Sequence, residues 1–326
     1  MKITIISCYF GAFPSYFQLW LDSCKENPEI KFLVFSDISL QEYSVPTNVV
    51  IQKTTFEKMK SLISRKIGFP VKINSPYKLT DFKVAYGLIF EEHLKEADYW
   101  GYCDIDLIFG NVYRYISNAI RQGYNKIYQL GHLTVYKNSD SNRLLFKRPG
   151  GAFSYKAVFR NSEFFSFDEH AGMVSISKTN HILEYDYEDM ADISCRKKRL
   201  TASRQRNYQN QVFYYEKGRV FRAYIDDEGC VKTQEFAYIH LQKRKMQYEK
   251  RLKEYYILSD GFYPKIEGIP DKKRIIDLSE YVSDDKDKME EKKYKINKFH
   301  DFLKSSCKCK LIWLKIKLFE IKVRRK

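Results

Sequence analysis

The chain has no glycine-rich phosphate loop. Its first turn offers Gly11 alone where a dinucleotide fold places G-x-G-x-x-G, and G-x-x-x-x-G-K-[ST] occurs nowhere. Both absences count against NAD, FAD and P-loop chemistry, so a bound phosphate must be held by another device. The seven cysteines are odd in number and scattered, without a C-x-x-C pair. That excludes a disulfide framework and a structural zinc site of standard spacing, and it suits a reducing cytoplasm. No run approaches the roughly 18 uninterrupted apolar residues of a membrane-spanning helix. The apolar run in Met1–Phe10 is shorter than a signal peptide's and reads as a first strand.

What is present points to a folded protein with an anionic partner. With 326 residues and 44% hydrophobic content, the chain can bury a substantial core as one large domain with an appendage. Aromatics reach 16%, which argues against disorder. The net charge of +16 implies nucleic acid, a phosphorylated small molecule or an acidic membrane face. Residues 305–326 hold eight basic residues and one acid, +7 of that total, so the body is only moderately basic. No RRM, KH or zinc motif accompanies the charge, and a basic nucleic-acid-binding protein is the weaker reading.

The most informative stretch is Tyr99 to Asn111, an apolar run that ends by presenting Asp104 and Asp106. In an extended segment both carboxylates project to one side while Ile105 turns inward. Two carboxylates so placed can share Mg2+ or Mn2+, and the ion can carry a diphosphate. Asp285 and Asp287 repeat the spacing within a hydrophilic run, and read as solvated surface.

Strand, helix and strand follow one another at Ile3–Phe10, Tyr16–Cys24 and Lys31–Phe35, with a third strand at Val49–Ile51 and a helix from Thr55 to about Lys66. This βαβ order implies a parallel sheet with ligands beyond the carboxyl ends of its strands. Asp37, just past the second strand, is placed either to contact a ribose or base or to form an Asx-turn. Ser75-Pro76 reads as a helix start, with an apolar stripe at Leu79, Phe82, Tyr86, Ile89 and Phe90. Asp81 and Lys83 on that helix lie above the expected nucleotide site or on a solvated face.

Several blocks resemble a family of bacterial GT-A-type glycosyltransferases of capsule and O-antigen synthesis: Pro76–Gly87, Trp100–Asn111, Gly131–Asn138, Phe167–Gly172 and Tyr238–Met246. The resemblance covers roughly residues 1–250. It implies a GT-A-like, Rossmann-type mixed sheet flanked by helices. It further implies a nucleotide-diphosphosugar donor (UDP-sugar favoured) and Mn2+ or Mg2+ at Asp104 and Asp106. The expected reaction is a hexosyl transfer to a lipid-linked or oligosaccharide acceptor. Within GT-A enzymes generally, a late histidine completes the metal site and basic neighbours neutralise the leaving diphosphate; His240, with Lys243 and Arg244, fits that pattern, or else marks a helix start with a basic face.

Three further residues are weighed for catalysis. His132, between two strands, is either near the donor or acceptor sugar or a satisfied structural histidine. Asp168 and Glu169 directly follow aromatics, where a carboxyl has its pKa raised and could take a proton from the attacking hydroxyl, but acids at a helix N-terminus look the same. The expected organisation is a catalytic domain at 1–250 and, at 251–326, a linker and a basic amphipathic tail. That tail either docks on an anionic membrane or packs on the body. The expected location is cytoplasmic, attached peripherally to the inner face of the cell membrane. A Mg2+-dependent nucleotidyl or phosphoryl transferase is the enzymatic alternative.

Overall fold

The computed structural model describes residues 1–249, 252–266, 268–279 and 284–324, with the side chains of 284–287, 290, 323 and 324 outside that description. The expected boundary at 250 and 251, and the side chains of Asp285 and Asp287, therefore lie outside the described residues.

The βαβ start is present as β1 (Ile3–Cys8), α1 (Phe17–Lys25) and β2 (Ile30–Ser36), followed by β3 (Val49–Lys53) and α2 (Phe56–Ile67). Thr55 caps α2 by accepting the Lys58 N–H at 3.2 Å, and Gly68 closes it at φ 88°. Alternate residues of the strands feed opposite faces: Ile6, Leu33 and Phe35 enter one core cluster, Ile5, Phe32 and Val34 another. Burial on both faces is what a central parallel sheet requires.

Pro76–Ala85 then winds as a 3-10 helix before the short α3 (Tyr86–Ile89). The expected stripe residues are all buried, yet the winding is tighter than the expected α-helix, and Ser75 makes no side-chain cap. The reason is that Lys78 and Asp81 must also be buried. Three residues per turn stack that i, i+3 pair directly.

β4 (Tyr99–Cys103) joins β1 in parallel, and β5 (Leu107–Phe109) leaves for a second sheet. After α4 (Val112–Arg121) come β6 (Lys126–Ile127) and β7 (Leu133–Lys137), which runs antiparallel to β4. The helical turns α5 (Asp140–Arg143), α6 (Tyr155–Phe159) and α7 (Ser175–Thr179) cover one face, and β8 (Glu184–Tyr185) completes a seven-stranded mixed sheet of order β3-β2-β1-β4-β7-β6-β8. β9 (Met190–Asp192), β10 (Gln211–Glu216), β11 (Arg219–Ile225), β12 (Val231–Phe236), β13 (Tyr238–His240), β14 (Tyr255–Ile257) and β15 (Phe262–Pro264) follow. They form a five-stranded antiparallel sheet, β12-β11-β10-β14-β15, and a three-stranded one, β5-β13-β9. β14 and β15 lie beyond residue 250, yet β14 pairs with β10 and β15 with β14. Three helices end the described chain: α8 (Lys272–Leu278), α9 (Asp284–Lys304) and α10 (Cys307–Arg324). Among the described residues no helix is long and apolar enough to cross a membrane.

Candidate functional site

The extended run expected through Asp106 breaks after Cys103. Asp104 donates its N–H to His132 O at 2.9 Å, prolonging the β4–β7 ladder, while Leu241 donates to Asp106 O at 3.0 Å, opening the β5–β13 ladder. The two acids thus hang at the point where the chain changes sheets. That kink, rather than strand alternation, brings both to one cleft.

The three-stranded sheet supplies the rest. His240 and Asp192 are register partners in the parallel β13–β9 pair, so their side chains emerge together, with His240 Nδ1 2.8 Å from Asp192 Oδ1. Gln242 Nε2 donates to the same oxygen at 2.9 Å. His240 Nε2 lies 3.6 Å from Asp106 Oδ1. Two residues back on β13, on the same side, the Tyr238 hydroxyl meets His132 Nδ1 at 2.9 Å, and the His132 and His240 rings approach to 4.5 Å. Beyond β13, Gln242 and Lys243 adopt left-handed backbone (φ 49° and 59°), turning the Lys243 N–H onto Asp106 Oδ2 at 2.6 Å. The Lys243 ammonium rests 3.8 Å above the Tyr77 ring.

On the opposite wall Lys83 Nζ donates to Asp104 Oδ1 at 2.5 Å and to Gly131 O at 3.0 Å, with Asp168 Oδ2 at 3.6 Å. Asp168 lies against Gly131, where any Cβ would collide with its carboxylate. All these residues except Tyr238, which sits behind His132, line one cleft of about 780 Å³ at the carboxyl ends of β1 and β4, within the size range of small-ligand sites.

The electrostatics follow from this packing. Burial pulls the His240 pKa down, but the Asp106 and Asp192 carboxylates outweigh it and hold the imidazole up at about 10. Burial and the neighbouring His240 push His132 down to about 3, so it is neutral. Burial opposes ionisation of Asp106 and Asp192; the His240 charge and hydrogen bond reverse this, taking Asp192 to about 2 and Asp106 well below the usual carboxylate range. Asp168 and Glu169 go the other way, both raised by burial against the lowering pull of Lys83.

The donor set fits a hard or borderline divalent cation. Ligand atoms of Asp104, Asp106 and His240 lie within 4.8 Å of one another, as do those of His132, Asp192 and His240. Among the described residues the buried Nε2 of His132 has no hydrogen-bond partner, and in the tautomer whose Nδ1–H donates to the Tyr238 hydroxyl it offers a further lone pair.

Of the residues singled out from sequence, Lys83, Asp104, Asp106, His132, Asp168, Glu169, His240 and Lys243 line this cleft. Asp37, Asp81 and Arg244 do not. Asp37 is exposed, with the Gly11 N–H at 3.4 Å. Asp81 is fully buried, paired with Lys78 at 2.7 Å, and accepts the Phe165 and Phe167 N–H groups. The Arg244 guanidinium donates to the carbonyls of Ser194, Lys197 and Lys198. Sequence reasoning missed Asp192, although an acid inside the apolar run Met190-Ala191-Asp192-Ile193 carries the same signal that singled out Asp104.

A family model described as a family of unknown function, DUF6625, matches residues 5–266. No curated protein matches the chain. Among solved structures, the crystal structure of mouse xyloside xylosyltransferase 1 in its apo form is similar over 60% of this chain and 88% of that one, at 8% identity and a TM-score of 0.33. A likeness that loose does not fix a topology.

Proposed function

The chain belongs to the DUF6625 family, and from the chemistry of its cleft together with the sequence blocks that resemble GT-A-type glycosyltransferases we propose that it is a divalent-cation-dependent glycosyltransferase. It would move a hexosyl group from a nucleoside-diphosphate donor, UDP-sugar favoured, to a hydroxyl of a lipid-linked or oligosaccharide acceptor in surface-polysaccharide synthesis. The observation that carries this reading is the meeting of Asp104, Asp106 and His240 within 4.8 Å at the carboxyl ends of parallel strands.

Asp104, Asp106 and, once the cation has displaced its Nε2 proton, His240 would hold Mn2+ or Mg2+, which when bound supplies positive charge against a diphosphate. Asp192 engages His240 Nδ1 and so aims Nε2 at Asp106. Lys83 fixes the Asp104 carboxylate and steadies Asp168 from the same ammonium. Lys243 holds Asp106 through its backbone and offers its side chain for charge developing on a leaving phosphate. Asp168 and Glu169, with pKa values raised by burial, suit removal of a proton from an attacking hydroxyl.

The test titrates Mn2+ and then UDP-, GDP- and CMP-sugars into the parent protein and Asp106→Asn, reading heat and melting temperature, with analysis of products. The reading expects cation-dependent nucleotide-sugar binding in the parent, its loss in the variant with the fold intact, and release of nucleoside diphosphate. Equal binding by both proteins would reject the assigned site. Release of sugar 1-phosphate, with the nucleoside monophosphate freed or passed to an acceptor, would make the enzyme a nucleotidyltransferase instead.

A further inference from the structure

The basic tail has no clean single-face periodicity because α10 carries two apolar stripes rather than one. Ile312, 8% exposed, and Ile316 point inward and pack on the core cluster that contains Phe165 and Phe167. On the far side Leu311, Leu314, Leu318 and Ile321 follow i, i+3, i+7, i+10 spacing, and are 69%, 44%, 67% and 49% exposed. At about 100° per residue, Lys308, Lys315 and Lys322 fall along one edge of this outer stripe and Lys310 and Lys317 along the other. Lys310 donates to Leu303 O at 2.7 Å, Lys315 lies over the Phe153 ring and Lys317 pairs with Glu320 at 2.8 Å, while Lys308 and Lys322 are exposed.

α9 repeats the arrangement. Met289, Ile296, Phe299 and Leu303 lie on one stripe and are all exposed. Phe302 of α9 contacts Trp313 of α10 at 4.9 Å between ring centroids, joining the two helices. Half of the exposed large hydrophobic residues of the described chain belong to these two helices. From Lys298 to Lys322 there are seven lysines against two acids.

We infer that the outer stripe of α10, continued by that of α9, is a docking surface for an anionic phospholipid bilayer. An apolar stripe edged by lysines seats its side chains at the acyl boundary while the ammonium groups reach the phosphates, and the two attractions reinforce one another. Charge chooses between this occupant and a second copy of the chain. Two such stripes laid face to face would oppose lysine to lysine, whereas anionic headgroups complement both edges. The docking does not depend on the chemistry proposed for the cleft, but it would place the cleft beside the headgroups. α10 packs on the His170–Val174 turn that follows Asp168 and Glu169, and Lys298 of α9 lines the cleft.

The test is flotation of the full chain with phosphatidylcholine vesicles with and without phosphatidylglycerol. The parent is expected to float only with the anionic vesicles, and salt should release it. Leu314→Ser/Leu318→Ser and, separately, Lys308→Gln/Lys322→Gln should each lower the bound fraction by about tenfold or more, with helicity and melting temperature unchanged. Equal flotation of parent and variants overturns the proposal, as does failure of the parent to bind. Dimerisation of the parent by light scattering that Leu314→Ser/Leu318→Ser abolishes would assign the stripe to a second copy.

Discussion

Lys78 and Lys83 lie on the same 3-10 helix, both are buried, and both meet an aspartate, yet they serve different ends. Lys78 donates to Asp81, to Val158 O and to Glu163 O, and Asp81 accepts two backbone N–H groups; the pair is 1% and 0% exposed. All three ammonium hydrogens and both carboxylate oxygens are engaged and sealed from water, so nothing is left open to a ligand. Lys83 meets Asp104, whose side chain is 32% exposed and faces open space. Identical residue types become a brace where the network closes and a site where it stays open. The two are linked, since Asp81 pins the backbone at Phe165 and Phe167 that delivers Asp168 to the cleft.

That contrast can be broken most sharply at Lys78. Lys78→Met leaves a charge sealed without its partner and is expected to cost about 3–5 kcal/mol of stability in urea unfolding. An unchanged midpoint would show that the closed pair braces nothing. Lys83→Met should instead reduce sugar transfer on the order of 100-fold. Its stability loss should be smaller, because water can reach Asp104 and burial already favours the protonated form of Asp168 once the lysine is gone; equal loss of stability in both variants would erase the distinction. Asp192→Ala should weaken Mn2+ binding by about 10–100-fold with little change in unfolding, as expected for a residue that orients a ligand through a hydrogen bond. Unaltered Mn2+ affinity would remove Asp192 from the site. Asp37→Ala should leave nucleotide-sugar affinity within about twofold of the parent, the range for an exposed position away from the cleft. A larger loss would mean that the donor reaches further along the sheet edge than the cleft does.

The order of the first strands and helices was legible because buried parallel strands read as unbroken apolar runs and α2 carries its cap and its terminal glycine in sequence. The helix at Pro76–Ala85 was legible as a helix, and its stripe residues are all buried. Its winding was not, because a lysine and an aspartate three apart give no local sign that they will be sealed together. The same blindness placed Asp81 near a nucleotide when it binds backbone instead. The aspartate pair was found by its setting, while the kink that separates the acids depends on two ladders formed with residues far along the chain. Asp192 escaped notice because its significance is its register with His240, a non-local fact. The tail resisted periodic reading because two opposed apolar faces cancel in any one-face pattern.

Gly131 gives the cleft an unusual form of control. The seat of Asp168 exists only because residue 131 has no side-chain carbon, and the Gly131 carbonyl also receives the Lys83 ammonium. Gly131→Ala would therefore push the acid from its place and disturb the lysine beside it without deleting either functional group. The bareness of position 131 is thus what keeps the two functional groups in register, since the first carbon added there meets the carboxylate head-on.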